Sequence, residues 1–87
     1  MTGRLTLLSK PGCHLCRQMR EVVERVVASA DVTLVEEDVR SGPAWRDYRL
    51  EIPVLLLDGV EIARHRVGEE DLRRLLAARG VETTSPS

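Results

Sequence analysis

The stretch SKPGCHLC, residues 9–16, decides how this chain of 87 residues folds. It holds both cysteines, Cys13 and Cys16, and separates a short apolar run from a segment with helical periodicity. The Pro-Gly pair before Cys13 is a strong loop signal, so we expect the cysteines where a strand passes into a helix. At a helix N-terminus, free N–H groups and partial positive charge favour a thiolate on the first cysteine. The spacing therefore indicates a redox-active dithiol.

The segments on either side of the dithiol predict a β-α-β unit. Leu5 to Leu8 is a strand-like apolar run, and Val32 to Val39 is a second run, rich in β-branched residues, that ends in acids. Between the two runs, apolar residues recur at the helical spacing of three and four: Leu15, Met19, Val22, Val23, Val26, Val27 and Ala30. One helix between two strands is the spacing of a right-handed crossover, which pairs the strands in parallel.

The second half of the chain predicts a short helix and a hairpin. Pro43 favours a helix start, and residues 44–50 form the expected short helix. Residues 54–57 are apolar throughout, as in a central strand. Asp58-Gly59 supplies the positive φ angles that a type I′ turn requires, and residues 60–67 form the second arm of the hairpin.

The chain is expected to form a single domain over residues 1–80. Acids at residues 69–71 fit the first turn of a closing helix, and Gly80 fits its end. Residues 81–87 are expected to form a short flexible C-terminal tail. A chain of this length buries too little surface for a second core.

Composition narrows the class of partner and the compartment. The formal net charge is −1 with acids and bases interleaved, so no nucleic-acid partner is expected. The N-terminus lacks the apolar core of a secretory signal, and no stretch reaches the ~20 apolar residues of a membrane span. These features predict a cytoplasmic protein with no membrane partner. In a reducing compartment, paired cysteines are catalytic, redox-sensing or metal-binding rather than a structural crosslink.

The order β-α-β-α-β-β-α resembles glutaredoxins and small glutaredoxin-like proteins of the thioredoxin superfamily over residues 4–79. Residues 9–16 are similar to the family's active-site loop, and Ile52-Pro53-Val54 is similar to its cis-proline turn. Gly68 and the acids before Leu72 are similar to its last helix start. The resemblance implies an α/β, thioredoxin-like (glutaredoxin-type) fold with a four-stranded mixed sheet.

The same resemblance implies a thiol-disulfide oxidoreductase. Cys13 would attack the substrate and Cys16 would resolve the mixed disulfide. The residues expected to contact substrate or glutathione are Lys10, Ile52, Pro53, Gly68 and Glu69. No tightly bound cofactor is expected, and glutathione is a candidate co-substrate. The implied partners are a disulfide-containing protein or small molecule, with glutathione or a flavin-dependent reductase as electron donor.

The residues also leave a second class of function open, a binding or adaptor module. In that reading the cysteines are a redox sensor, or ligands of a metal or an iron–sulfur cluster, without turnover. Structural zinc needs four ligands, and His14 and His65 are the only histidines to add to the cysteines. His14 lies between the two cysteines, where it chelates poorly with them. A metal site therefore needs ligands from a second protomer. An iron–sulfur cluster held between two protomers with glutathione would be one such site.

Overall fold

The computed structural model describes residues 3–81, and the elements follow the predicted order. In chain order they are β1 (Gly3–Ser9), α1 (His14–Val27), β2 (Val32–Asp38), a short 3₁₀ helix (Pro43–Tyr48), β3 (Val54–Leu57), β4 (Val60–Arg64) and α2 (Glu69–Ala78). The dithiol lies at the junction of β1 and α1, as the loop signal at Pro11-Gly12 predicts.

The four strands form one mixed sheet in the order β2-β1-β3-β4. Strand β1 pairs with β2 in parallel, and β3 pairs antiparallel with both β1 and β4. The predicted parallel pair and the central position of residues 54–57 are thus confirmed. Asp58 and Gly59 have φ angles of 49° and 87°, as the type I′ turn requires.

The second arm of the hairpin is shorter than its sequence predicts. Strand β4 ends at Arg64 instead of continuing to Val67. The next residue, His65, has a φ of 67°, which takes the backbone out of the extended region. Residues 65–67 therefore run as a connection towards α2 instead of as sheet.

Both helices pack on the same face of the sheet. The core on that face joins one stripe of each helix to the strands. Its fully buried members are Leu5, Leu7, Met19, Val23, Val26, Leu55, Leu72 and Leu76. Valines are poor helix formers, so burial of its apolar stripe stabilises α1 more than propensity does. The opposite face has a smaller core, against which Trp45, Tyr48 and Ile52 pack.

The folded core includes the first residue of the predicted tail. Val81 is only 8% exposed and packs with the main core. Its N–H donates a hydrogen bond to the carbonyl of Leu76 at 2.9 Å. Val81 therefore belongs to the domain, while the rest of the predicted tail, residues 82–87, lies outside the described residues. Within residues 3–81, neither helix has the length and apolar character needed to cross a bilayer.

Truncating a leucine in the core should destabilise the protein, while truncating an exposed leucine should not. Leu72→Ala removes a fully buried side chain and leaves a cavity, so we expect the free energy of unfolding to fall by about 2–5 kcal/mol. Leu50→Ala is the matched control, because Leu50 is 93% exposed, and its effect should stay within about 0.5 kcal/mol. Urea denaturation measures both values. Equal effects would contradict the packing described for α2.

Candidate active site

Cys13 occupies the N-cap position of α1. Gly12, with a φ of 81°, turns the chain out of the loop, and the N–H of Cys13 donates to the carbonyl of Lys10. Cys13 itself is extended, and its Sγ accepts a hydrogen bond from the N–H of Cys16 at 3.2 Å. The two cysteines are joined by a disulfide across 5.2 Å between their Cα atoms. The disulfide therefore closes within the first turn of the helix.

The two sulfur-bearing residues differ in exposure. Cys16 points into the core and is 3% exposed, whereas Cys13 is partly exposed. The difference follows from the helix, because Cys16 begins the apolar stripe that continues through Met19 and Val23. The sulfur-bearing side chain that solvent reaches more readily is therefore that of Cys13.

A cleft of about 520 Å³ lies beside the dithiol and includes both cysteines in its lining. The loop of residues 10–12 and the first turns of α1 form one wall of the cleft. Ser9, at the end of β1, and Glu36 and Asp38, from the end of β2, complete it. The cleft therefore lies on the β2 side of the dithiol, and Lys10 lines it together with Cys13.

Each carboxylate of this cleft has partners. Ser9, which is 7% exposed, donates its hydroxyl to Glu36 at 2.8 Å, and Arg20 donates to the other oxygen of Glu36 at 3.4 Å. Asp38 accepts three hydrogen bonds from Arg40, two from the guanidinium and one from the backbone N–H. The side-chain hydrogen bond from Arg40, and then its backbone bond, lower the pKa of Asp38 to about 2, so this carboxylate is ionised at neutral pH.

The Ile52–Pro53 turn lies at the same end of the sheet as the dithiol loop. Leu8 pairs with Val54 in the antiparallel register of β1 and β3, which places Pro53 beside the end of β1. The Ile52–Pro53 peptide bond is cis, as the resemblance implies. The turn thus shares its end of the sheet with Lys10 and both cysteines.

His65, which directly follows β4, holds this turn, and its side chain contacts Glu51, which directly precedes Ile52. The N–H of His65 donates to the carbonyl of Pro53 at 2.7 Å, and its Nε2 lies 2.9 Å from a carboxylate oxygen of Glu51. Arg64 also forms an ion pair with Glu51 at 3.4 Å. From the sequence, His65 enters only as a metal-ligand candidate and Glu51 is not singled out. No local sequence signal links two residues on different segments.

Gly68 and Glu69 lie at the start of α2, beside the end of α1 that is far from the dithiol. Gly68 is the N-cap residue of α2, and Glu69 begins that helix. The carboxylate of Glu69 pairs with Arg25 and Arg73, each at 3.3 Å. Arg25 belongs to the last turn of α1, about 18 Å of helix rise from Cys13. The structure thus brings Lys10 together with the cysteines, whereas it ties Glu69 to the far end of α1.

A mixed four-stranded sheet, a CxxC pair at the N-terminus of the first helix and a cis-proline beside it define a thioredoxin-like α/β protein. The chain belongs to the family described as Glutaredoxin-like domain (DUF836), which it matches over residues 4–77.

Solved structures share the thioredoxin-like fold. A structural genomics target protein, XcR50 from X. campestris, is 30% identical with a TM-score of 0.66, and the match covers 85% of this chain and 96% of that chain. A thioredoxin variant from Halobacterium salinarum NRC-1 is 24% identical with a TM-score of 0.66, covering 98% and 78% of the two chains. A variant of the thioredoxin-like protein BC3987 is 24% identical with a TM-score of 0.60, covering 84% and 94%. The two matches at 24% identity show the fold.

The difference in exposure predicts which thiol reacts first after reduction. We expect iodoacetamide at limiting concentration to modify Cys13 well before Cys16, because Cys16 is buried and the Cys13 sulfur faces the helix N-terminus. Tandem mass spectrometry of the peptide that contains both residues locates the adduct. The single-thiol variants Cys13→Ser and Cys16→Ser give the reference rates. Faster modification of Cys16 would contradict the described burial.

Proposed function

We propose that this protein is a dithiol-disulfide oxidoreductase that reduces disulfides through Cys13 and Cys16. The observation that carries the proposal is the disulfide within the first turn of α1, with one partly exposed and one buried cysteine. A disulfide in this position can open and close within a single helical turn, without unfolding the rest of the protein. Membership in the glutaredoxin-like family supports the same chemistry.

The reaction starts from the reduced protein, with Cys13 as the nucleophile. The Cys13 thiolate attacks one sulfur of the substrate disulfide, so that a bond between Cys13 and that sulfur forms and the substrate bond breaks. The first substrate thiolate leaves and takes up a proton. The N–H of Cys16, which donates to the Cys13 sulfur at 3.2 Å, stabilises negative charge on the attacking atom.

Cys16 completes the reaction. After losing its proton, it attacks the Cys13 sulfur of the mixed disulfide, the Cys13–Cys16 disulfide forms, and the second substrate thiol is released. In total, the two protein thiols are oxidised to one disulfide while the substrate disulfide is reduced to two thiols. Burial of Cys16 favours this intramolecular attack over reaction with a second substrate molecule.

Substrate contacts and electron donor form the finer part of the proposal. Lys10 lines the cleft with Cys13 and is the proposed contact for a substrate carboxylate. The backbone of Ile52, before the cis-proline, is the proposed contact for an extended peptide or for glutathione. Glutathione or a flavin-dependent reductase is proposed to return two electrons to the disulfide. Stopped-flow measurement with each donor in turn identifies which one reduces Cys13–Cys16.

Replacing Cys16 should trap the substrate on Cys13. In Cys16→Ser the first exchange still occurs but the resolving thiol is missing, so a mixed disulfide with a peptide substrate should accumulate in the absence of glutathione. Intact-mass analysis detects the adduct, and peptide mapping places it on Cys13. Cys13→Ser is the matched control and should form no such adduct.

The same experiment separates the enzyme from the adaptor module. An adaptor would bind its partners equally well in both serine variants and would form no adduct at Cys13. Among residues 3–81, no three His, Cys, Asp or Glu side chains converge to hold a metal ion, so a metal-binding adaptor would need ligands from a second protomer or from glutathione. Absence of any mixed disulfide in Cys16→Ser would therefore favour the adaptor over the oxidoreductase.

A further inference from the structure

The cleft beside the dithiol has a surplus of positive charge. Its two carboxylates already have partners, since Ser9 and Arg20 bind Glu36 and Arg40 binds Asp38. The guanidinium of Arg40 offsets the charge of Asp38 at a distance of 2.8 Å. Each acid of the cleft thus has a cationic partner, although Arg20 also pairs with Glu24 at 3.6 Å and the chain as a whole has a formal charge of −1.

Two cations of the same cleft have no such partners among the residues that the structure describes. Lys10 and Arg17 are exposed, and both line the cleft with the two cysteines. Within residues 3–81, neither side chain forms an ion pair or hydrogen bond, and Arg17 is not paired with Glu21, one turn further along α1. Lys10 precedes Cys13 and Arg17 follows Cys16, so the two cations lie on either side of the dithiol in the sequence.

The size and charge of the cleft together suit an anionic group next to the reacting sulfur. About 520 Å³ lies within the usual range of ligand sites, roughly 300–1,000 Å³, and is enough for a few side chains of a bound segment. A concave surface with unpaired cations attracts carboxylates and disfavours cationic segments. The charge therefore distinguishes among disulfides according to the residues that flank them.

We propose that this cleft selects polypeptide disulfides with an Asp or Glu beside the reactive cysteine, and that Arg17, together with Lys10, binds that carboxylate. The inference rests on the proposed oxidoreductase function and names its substrate class. During attack, Cys13 forms a bond to the substrate cysteine while the neighbouring carboxylate lies in the cleft. The carboxylate stays chemically unchanged, and the electrons still come from the two protein thiols.

The test uses three synthetic peptide disulfides that differ only in the residue beside the cysteine, which is Glu, Gln or Lys. The reduced protein is mixed with each peptide, and the second-order rate constant of reduction is measured. We expect the Glu peptide to react roughly fivefold faster than the Gln peptide, the factor given by about 1 kcal/mol of partly exposed charge pairing. The Lys peptide should be slowest, and the preference should shrink as salt is added.

Variants link the preference to the cleft. Arg17→Gln should lower the rate constant on the Glu peptide and bring the ratio between Glu and Gln peptides close to one. Arg79→Gln is the matched control, because Arg79 is also exposed and has no ion pair within residues 3–81. Arg79 is close in sequence to Val81, and Val81 lies beside Gly3. Gly3 begins β1, whereas the dithiol follows the other end of that strand. The full preference should remain in this control.

The outcomes separate the inference from the function on which it rests. Equal rates on all three peptides would overturn the inference and leave the oxidoreductase standing. A different result would be that Arg17→Gln slows reduction of oxidised glutathione while the Glu and Gln peptides react equally. Arg17 would then bind a carboxylate of glutathione, and the proposed preference for acidic polypeptides would be wrong. If the reduced protein reduces none of the disulfides, the proposed function fails, and the inference fails with it.

Discussion

Strand β1 is hydrogen-bonded to a neighbouring strand along both edges, and the geometry of the dithiol site depends on this pairing. Its parallel partner places Asp38 beside Ser9, and its antiparallel partner places Val54 beside Leu8. The loop after β1, the acidic end of β2 and the cis-proline turn therefore meet at one end of the sheet. Apolar residues of β1 are fully buried on both faces of the sheet, which holds the strand in a single register.

Much of this arrangement follows from local signals in the sequence. Pro11-Gly12 ends the first strand, and the period of the following apolar residues gives a helix over the sheet. The Asp58-Gly59 turn fixes one end of the hairpin. Each of these signals involves only a few neighbouring residues, so it can be recognised in a single sequence. The first position of the buried stripe differs from the prediction: Cys16 occupies it, whereas Leu15, the first residue of the predicted stripe, is 36% exposed.

Contacts that depend on long-range register could not be read in this way. An irregularity between Leu55 and Leu56 shifts the pairing of β3 with β4 by one residue. With the shift, Val54 pairs with Arg64, and His65 comes beside Pro53 and donates to its carbonyl. A regular ladder counted from the Asp58-Gly59 turn would put Arg64 there instead. The pairing of Glu69 with Arg25 also needs the relative placement of α1 and α2, which no local pattern specifies.

Cys13 and Cys16 are proposed to interconvert between thiols and disulfide at a potential useful for reducing other disulfides. Equilibration of the protein in glutathione buffers of graded composition, with the oxidation state read by intact mass, measures that potential directly. We predict one reversible intramolecular disulfide with a potential in the range from glutaredoxins to thioredoxin, roughly −200 to −270 mV. Thiols that stay unpaired across all the buffers would contradict the claim.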